Sequence, residues 1–355
     1  MSPEEFTKYK AMVFPRVVLA GHGVMAQLGD VCKEFAFAKK ALLVTGPRTR
    51  QICGEDAARI LKKAGMTPTL VECGSATTEE VDRIVAEAKK AKPSVIVGVG
   101  GGSKIDIAKV AASKLRVPFV SVPTSAAHDG LSSPRASIRD GGMPYSIDAV
   151  MPIAIIADTA VIVKAPYRLL AAGCADVIAN TTAVLDWELA HRLHNESFST
   201  SASTVAKFAA ETLITHASDI KPGLEESVWF AIKQIIISGM SMSIAGSSRP
   251  ASGSEHMFAH MLERNVPGRS LHGEQCGVGT IMMMYLHGGN WQRIREALVK
   301  IGAPTTAKEL GVSKAQVVQA LAHAHEIRTD RYTILGAKGL SEDAAERVAT
   351  ITQVC

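Results

Sequence analysis

No two cysteines in this sequence stand in a C-x-x-C arrangement. Cys32, Cys53, Cys73, Cys174, Cys276 and Cys355 are scattered through 355 residues. Scattered thiols in a chain of this length offer no disulfide framework and point to a reducing compartment. Aromatic residues are scarce, at 5%. There is no Lys/Arg run of the kind that arms a nucleic-acid binder; 39 basic and 34 acidic side chains leave a net charge of only +5. That mild excess fits an anionic small-molecule substrate as well as an ordinary soluble surface. The longest apolar run, residues 150–163, contains Pro152 and Asp158 and is too short to cross a bilayer. Residues 1–10 are polar and acidic and lack the basic start and apolar stretch of a signal peptide. No internal repeat or low-complexity segment is present. A cytoplasmic homo-oligomer is expected, with no integral membrane segment and no nucleic-acid partner.

What the chain has in quantity is Ala, Gly and Val, within a 47% hydrophobic composition that provides ample core. The length favours two domains. Short apolar, β-branched runs at 41–45, 69–72, 95–99 and 119–122 alternate with helical patterns at 51–64, 78–91 and 104–115. Such alternation predicts a parallel sheet covered on both faces. Ala136 to Ile138, the turn Asp140-Gly141-Gly142 and Pro144 to Ile147 predict a β-hairpin, and 153–157 a further buried strand. From Pro166 the strand signal stops. Helical patterns follow at 169–191, 201–217, 225–245, 254–262, 273–286, 292–301, 312–325 and 342–352. The expected fold is an N-terminal α/β domain with a parallel Rossmann-like sheet over residues 1–163, followed by an all-α C-terminal domain over 164–355.

Three segments carry chemistry. The run 95–99 enters Gly100-Gly101-Gly102-Ser103-Lys104, with a helix expected to begin near Ile105-Asp106. Glycines at a strand-to-helix junction let the backbone approach a ligand, and the helix N-terminus offers N–H groups and a positive dipole end to a pyrophosphate. A plain glycine turn is the bland alternative. Gly21-His22-Gly23-Val24-Met25-Ala26 also fits G-x-G-x-x-A, but its preceding run is short and outside the regular alternation, so a turn at the domain edge is expected there. Pro123-Thr124-Ser125-Ala126-Ala127-His128-Asp129-Gly130 follows the strand at 119–122, where open α/β sheets bind ligands. There Thr124 and Ser125 can hydrogen-bond a nicotinamide or phosphate, and Asp129 can accept from a hydroxyl. Asp129 as a turn former is the alternative. The helical half holds His256 and His260 one turn apart, His272 at the start of another helix, and Asp176 on an apolar helix. A carboxylate in apolar surroundings needs a partner, and one carboxylate with two imidazoles suits Zn²⁺ with a position left open. Spacing alone pairs His256 with His260. Cys174 and Cys276 read as packing residues.

Together, residues 100–109, 123–134, 173–180, 248–259 and 271–281 resemble the sn-glycerol-1-phosphate dehydrogenase family, within the glycerol dehydrogenase, iron-containing alcohol dehydrogenase and dehydroquinate synthase-like group. The loop Pro-Thr-Ser-x-x-His-Asp-Gly, with Ser133 after it, is the most characteristic piece. The resemblance implies an NAD- or NADP-dependent oxidoreductase with one Zn²⁺ per chain and a phosphorylated small-molecule substrate, dihydroxyacetone phosphate, reduced to sn-glycerol 1-phosphate for ether-lipid synthesis. It implies that Gly102, Ser103, Lys104, Ile105 and Asp106 bind the pyrophosphate. Thr124, Ser125, Ala126, Ala127 and Ser133 would contact the nicotinamide half, and Asp129 the substrate. Asp176, His256 and His272 would hold the metal, Asp176 also touching substrate, with His260 a substrate contact instead of a ligand. Ser103-Lys104 departs from some relatives. Arg249 and Lys221 stand as candidates for a phosphate anchor. Two other readings remain open: a polyol dehydrogenase on an unphosphorylated substrate, and a dehydroquinate synthase-like lyase, which calls for a denser Lys/Arg set than the helical half carries.

Overall fold

The computed structural model describes residues 11–140 and 143–355. The N-terminal segment 1–10 and the central turn residues Gly141 and Gly142 lie outside the described residues. The first half runs β1 (Val17–Gly21), α1 (Leu28–Glu34), β2 (Lys40–Thr45), α2 (Pro47–Thr49), α3 (Glu55–Lys63), β3 (Thr67–Glu72), α4 (Thr78–Ala91), β4 (Val95–Gly100), α5 (Gly102–Leu115) and β5 (Phe119–Pro123). The hairpin β6 (Arg135–Asp140) and β7 (Met143–Asp148) follows, then β8 (Ala154–Asp158) and α6 (Thr159–Ile162). Six strands form one all-parallel sheet in the order β1-β8-β5-β4-β2-β3, and β6 pairs antiparallel with β7. Central β4 is buried at all six positions, as expected of a strand with helices on both faces. Two apolar clusters flank the sheet. One packs Leu28, Leu61 and Val97; the other packs Ile84, Ile96, Ile105 and Phe119.

Every later regular element is helical: α7 (Tyr167–Ile178), α8 (Asn180–His194), α9 (Thr200–Thr215), α10 (Glu225–Ala245), α11 (Ser254–Asn265), α12 (His272–Leu286), α13 (Trp291–Ile301), α14 (Ala307–Leu310), α15 (Lys314–His323) and α16 (Glu342–Ile351). Their shared core is the largest in the molecule and reaches back to Ile155 and Ala157 of the sheet. Two helical stretches, Tyr167–His194 and Glu225–Ala245, are by length and hydropathy able to cross a bilayer. They are 89% and 67% buried inside the molecule and form its helical core.

Three details differ from expectation. Val17–Gly21 is not outside the alternation: it is the edge strand β1, paired in parallel with β8. The single helix expected over 169–191 is two, α7 and α8, broken at Ala179. Residues on either side of that break are buried and apolar or small, so hydrophobic periodicity carries no mark of it. The helix after the triple glycine starts at Gly102, not near Ile105, because Lys104 and Ile105 already donate their N–H groups to the Gly101 carbonyl.

Candidate active site

The strand order reverses between β2 and β4. Open α/β sheets bind ligands beyond the carboxyl ends of strands at such a point. A cleft of about 750 Å³ opens there, walled by the start of α5, the loop after β5 and the hairpin on one side and by α7, α11 and the start of α12 on the other.

On the sheet side, Gly101 caps α5 with no side-chain hydrogen bond, so the N–H groups of Gly102 and Ser103 at the helix start have no intrahelical partner. Ser103, Lys104, Asp106 and Ser133 line the cleft. Ile105 does not; its side chain is fully buried in the core beside the sheet. Asp106 is nearly buried: its Oδ2 accepts from the Ser137 N–H at 3.1 Å, which ties α5 to the hairpin. Thr124, Ser125 and Ala126 are buried behind the cleft wall, and the Ala126 carbonyl packs against α7 at Gly173, where a Cβ would lie 2.0 Å from it. Ala127 is half-buried beside them. In the rival loop at Gly21–Gly23, two backbone donors are already taken. Asp158, at the end of β8, accepts from the N–H groups of Gly23 and Met25 at 3.1 and 3.0 Å.

On the helical side, Asp176, His256, His272 and Cys276 each place a ligand atom within 4.8 Å of the others. His256 Nε2 stands 3.5 Å and His272 Nε2 3.9 Å from Asp176 Oδ1, a buried oxygen with no hydrogen-bond partner among the described residues. An orphaned carboxylate oxygen facing two imidazoles fits a divalent cation. His260 lies outside this group, its ring 6.4 Å from that of His256 and 5.2 Å from that of His272. The pairing that spacing favoured, His256 with His260, is therefore not the one the fold brings together on Asp176. Close helix contact makes the arrangement: a Cβ on Gly273 would fall 2.0 Å from the Ala172 carbonyl oxygen, so α12 can approach α7 only because that residue is glycine. Cys276, expected to be a packing residue, is fully buried but also points its Sγ to within 3.5 Å of His272 Nε2.

The electrostatics follow from burial and charge. Burial, and then Asp176, push the Asp129 carboxyl up to about 7. Burial acts the same way on Asp176, but the nearby imidazoles of His256 and His272 outweigh it and bring it down to about 2. The Asp129 N–H donates to Asp176 Oδ2 at 3.1 Å, and Ser238 donates to Asp129 Oδ2 at 2.7 Å. Burial and neighbouring imidazoles hold His260 well below the ordinary histidine range and His272 at about 4.

Two residues that the sequence argument passed over belong here. Glu255 is fully buried and its Oε1 accepts from His256 Nδ1 at 2.9 Å, which turns Nε2 toward Asp176. Glu255 is itself held by the Gly253 N–H at 2.6 Å and Thr182 Oγ1 at 2.8 Å. A carboxylate directly beside a candidate metal-ligating histidine was the available signal. His128 lines the cleft and packs against Gly102, while its Nδ1 accepts from the Gly130 N–H. The proposed anchors do not hold. Arg249 is buried and bound by Glu196 through two nitrogens, and Lys221 borders a separate cavity with Tyr167 and Leu224.

Residues 19–166 match the iron-containing alcohol dehydrogenase family. Over 345 residues the chain is 54% identical to the glycerol-1-phosphate dehydrogenase, NAD(P)+, of Methanosarcina acetivorans, covering 97% of each chain. It is 53% identical over 340 residues to that of Methanothermobacter thermautotrophicus, covering 96% of this chain and 97% of the relative. Among solved structures it superposes on a glycerol dehydrogenase from Schizosaccharomyces pombe with a TM-score of 0.81 at 22% identity, covering 98% of this chain and 92% of that one. A sulfoacetaldehyde reductase from Bifidobacterium kashiwanohense, solved with NAD+, gives 0.74 at 17% identity, covering 97% and 99%. At those identities the two structures speak for the fold.

Proposed function

The chain belongs to the glycerol-1-phosphate dehydrogenase family, and on that premise we propose that it reduces dihydroxyacetone phosphate to sn-glycerol 1-phosphate with NADH or NADPH, supplying the backbone for ether lipids. The observation that carries the reading is the meeting, across one cleft, of an uncapped glycine-loop helix and the Asp176, His256 and His272 cluster.

Asp176, His256 and His272 would hold one divalent ion, zinc by the preference of a carboxylate-and-imidazole set with an open position. When bound, the ion supplies Lewis-acid polarisation of the ketone, and the reduced nicotinamide supplies the hydride. Glu255 keeps His256 in one tautomer and orientation. The first turn of α5, from Gly102 to Asp106, receives the pyrophosphate, and the loop from Thr124 to Ala127, with Ser133, borders the nicotinamide half. Asp129 has one oxygen occupied by Ser238 and directs the other at a substrate hydroxyl. His260 and Asp129 both line the cleft, where they can exchange a proton with the new alcohol. With the nicotinamide on the sheet side and the ketone held on the helical side, one carbonyl face is presented, so one enantiomer forms.

The test is consumption of reduced NAD or NADP with dihydroxyacetone phosphate and with dihydroxyacetone. The product is then offered to an enzyme that oxidises only sn-glycerol 3-phosphate. Strong preference for the phosphate ester and a product that resists oxidation are expected. Quantitative oxidation of the product would refute the assignment.

A further inference from the structure

Among the described residues, five Lys and Arg side chains look onto the cleft: Lys104, Arg135, Arg139, Arg328 and Arg331. Three are matched to carboxylates: Arg135 with Asp148, Arg139 with Glu263, and Arg328 with Asp330 through two bonds of 3.0 and 3.1 Å. Lys104 belongs to the dinucleotide loop and reaches the Gly74 carbonyl. Arg331 is different. It donates to the Ser252 carbonyl at 2.9 Å and to Ser248 Oγ at 2.7 Å, both neutral acceptors, and no carboxylate pairs with it among the described residues.

The surroundings make that isolation costly. Burial, with the like charges of Arg328, Arg249 and Arg135, pushes the Arg331 guanidinium down to about 9. Arg249 lies deeper still, but Glu196 neutralises it. A guanidinium taken largely out of water normally has an anion across from it, because desolvation is otherwise uncompensated. Two of the five Arg331 N–H groups are used to hold the side chain still, which leaves a fork of donors toward the cleft. The position is also right. Ser252 stands two residues before α11 begins at Ser254, His256 lies in that helix's first turn, and Arg331, Ser252 and His256 all line the same cleft. In a three-carbon phosphate ester only two atoms separate the carbonyl carbon from phosphorus.

We propose that Arg331, with Arg328 beside it, anchors the dianionic phosphate of the substrate and is the residue that makes this enzyme selective for a phosphorylated ketone. The inference rests on the reductase function proposed above. Ser248 and Ser252 position Arg331; Asp330 positions Arg328.

The test uses the full-length, metal-loaded enzyme and the variants Arg331→Gln, Arg331→Lys and Arg328→Gln. Each is assayed with dihydroxyacetone phosphate, and with dihydroxyacetone in the absence and presence of phosphite dianion. Arg331→Gln should lose roughly 100- to 1000-fold in kcat/KM on the phosphate ester, the range for stranding one member of a buried charge pair. Its kcat/KM on dihydroxyacetone should stay within about threefold, since that substrate brings no charge to the site. Phosphite should accelerate dihydroxyacetone reduction by the parent enzyme and not by Arg331→Gln. Arg331→Lys, a point charge without the fork, should fall between, and Arg328→Gln should lose less than Arg331→Gln. Should Arg331→Gln fail to fold, Arg331→Lys decides by the same ratio between substrates. Equal losses on both substrates, or an unchanged kcat/KM on the phosphate ester, would overturn the anchor. A parent enzyme that does not prefer the phosphate ester would instead overturn the function on which it rests.

Discussion

Replacing Gly273 by alanine tests whether helix spacing sets the cluster. Gly273 is the second residue of α12, and in open surroundings this change would stabilise by up to about 1 kcal/mol, the value for a helix interior. Here the new Cβ would meet backbone, at 2.0 Å from the Ala172 oxygen and 2.7 Å from its carbon. No rotamer relieves such a contact, so α12 must move about 1 Å away from α7 in a close-packed interior. His272 adjoins the substituted residue on α12, and Asp176 sits on α7. Metal sites tolerate departures of about 0.2 Å in ligand distance, so a shift several times larger should weaken ion binding on the order of 100-fold or more. Overpacking costs about 1–3 kcal/mol, which the helix-propensity gain partly offsets, so the melting temperature should fall by only a few degrees. The assay pairs calorimetry with metal competition against a chromophoric chelator, and a titration of reduced nicotinamide fluorescence serves as a control for the sheet-side wall. Loss of ion affinity with near-normal melting and cofactor binding is the expected pattern. Wild-type ion affinity in Gly273→Ala would refute the argument that the α7–α12 approach builds the site.

Elemental analysis should find about one divalent ion per chain, and His272→Ala or exhaustive chelation should abolish turnover while the fold persists; full activity after chelation would contradict the metal assignment. Gly101→Val should weaken nicotinamide binding strongly by blocking the backbone approach, whereas Gly23→Val should cost stability, because Gly23 has φ 68°, and leave cofactor affinity intact; fluorescence titration distinguishes the two. Glu255→Gln should lower ion affinity roughly 10- to 100-fold by loosening the orientation of His256, read by the same chelator competition. In chelated protein, Asp129 is raised from 3.8 to about 7, so the folded state binds the extra proton and stability falls as pH rises across that interval. Asp129→Asn should remove that fall, so denaturant melts at pH 4 and pH 7 should differ less than in the parent.

Much of the molecule was legible in the sequence because it is encoded locally. The alternation of β-branched runs with amphipathic segments determined the parallel sheet, and the loss of strand signal after Pro166 determined the helical half. The hydrophobic period sets secondary structure before any long-range contact forms. The triple glycine could likewise be placed on the carboxyl end of a strand from its neighbours alone. What tertiary structure decided is anything that depends on two distant segments meeting. Strand β1 has too short an apolar run to announce itself and becomes a strand because β8 pairs with it. Asp158 disarms the G-x-G loop from 135 residues away in sequence. His260 is nearer to His256 along the helix than His272 is along the chain, yet a helix fixes only which residues share a face. The partner that collects His256 and His272, and not His260, is Asp176 on another helix, brought within reach of His272 by Gly273, which admits the Ala172 carbonyl. Arg249, buried, and Arg331, partly buried, lie near one another, and sequence treats them alike. Only the fold shows that one has its carboxylate and the other lacks it.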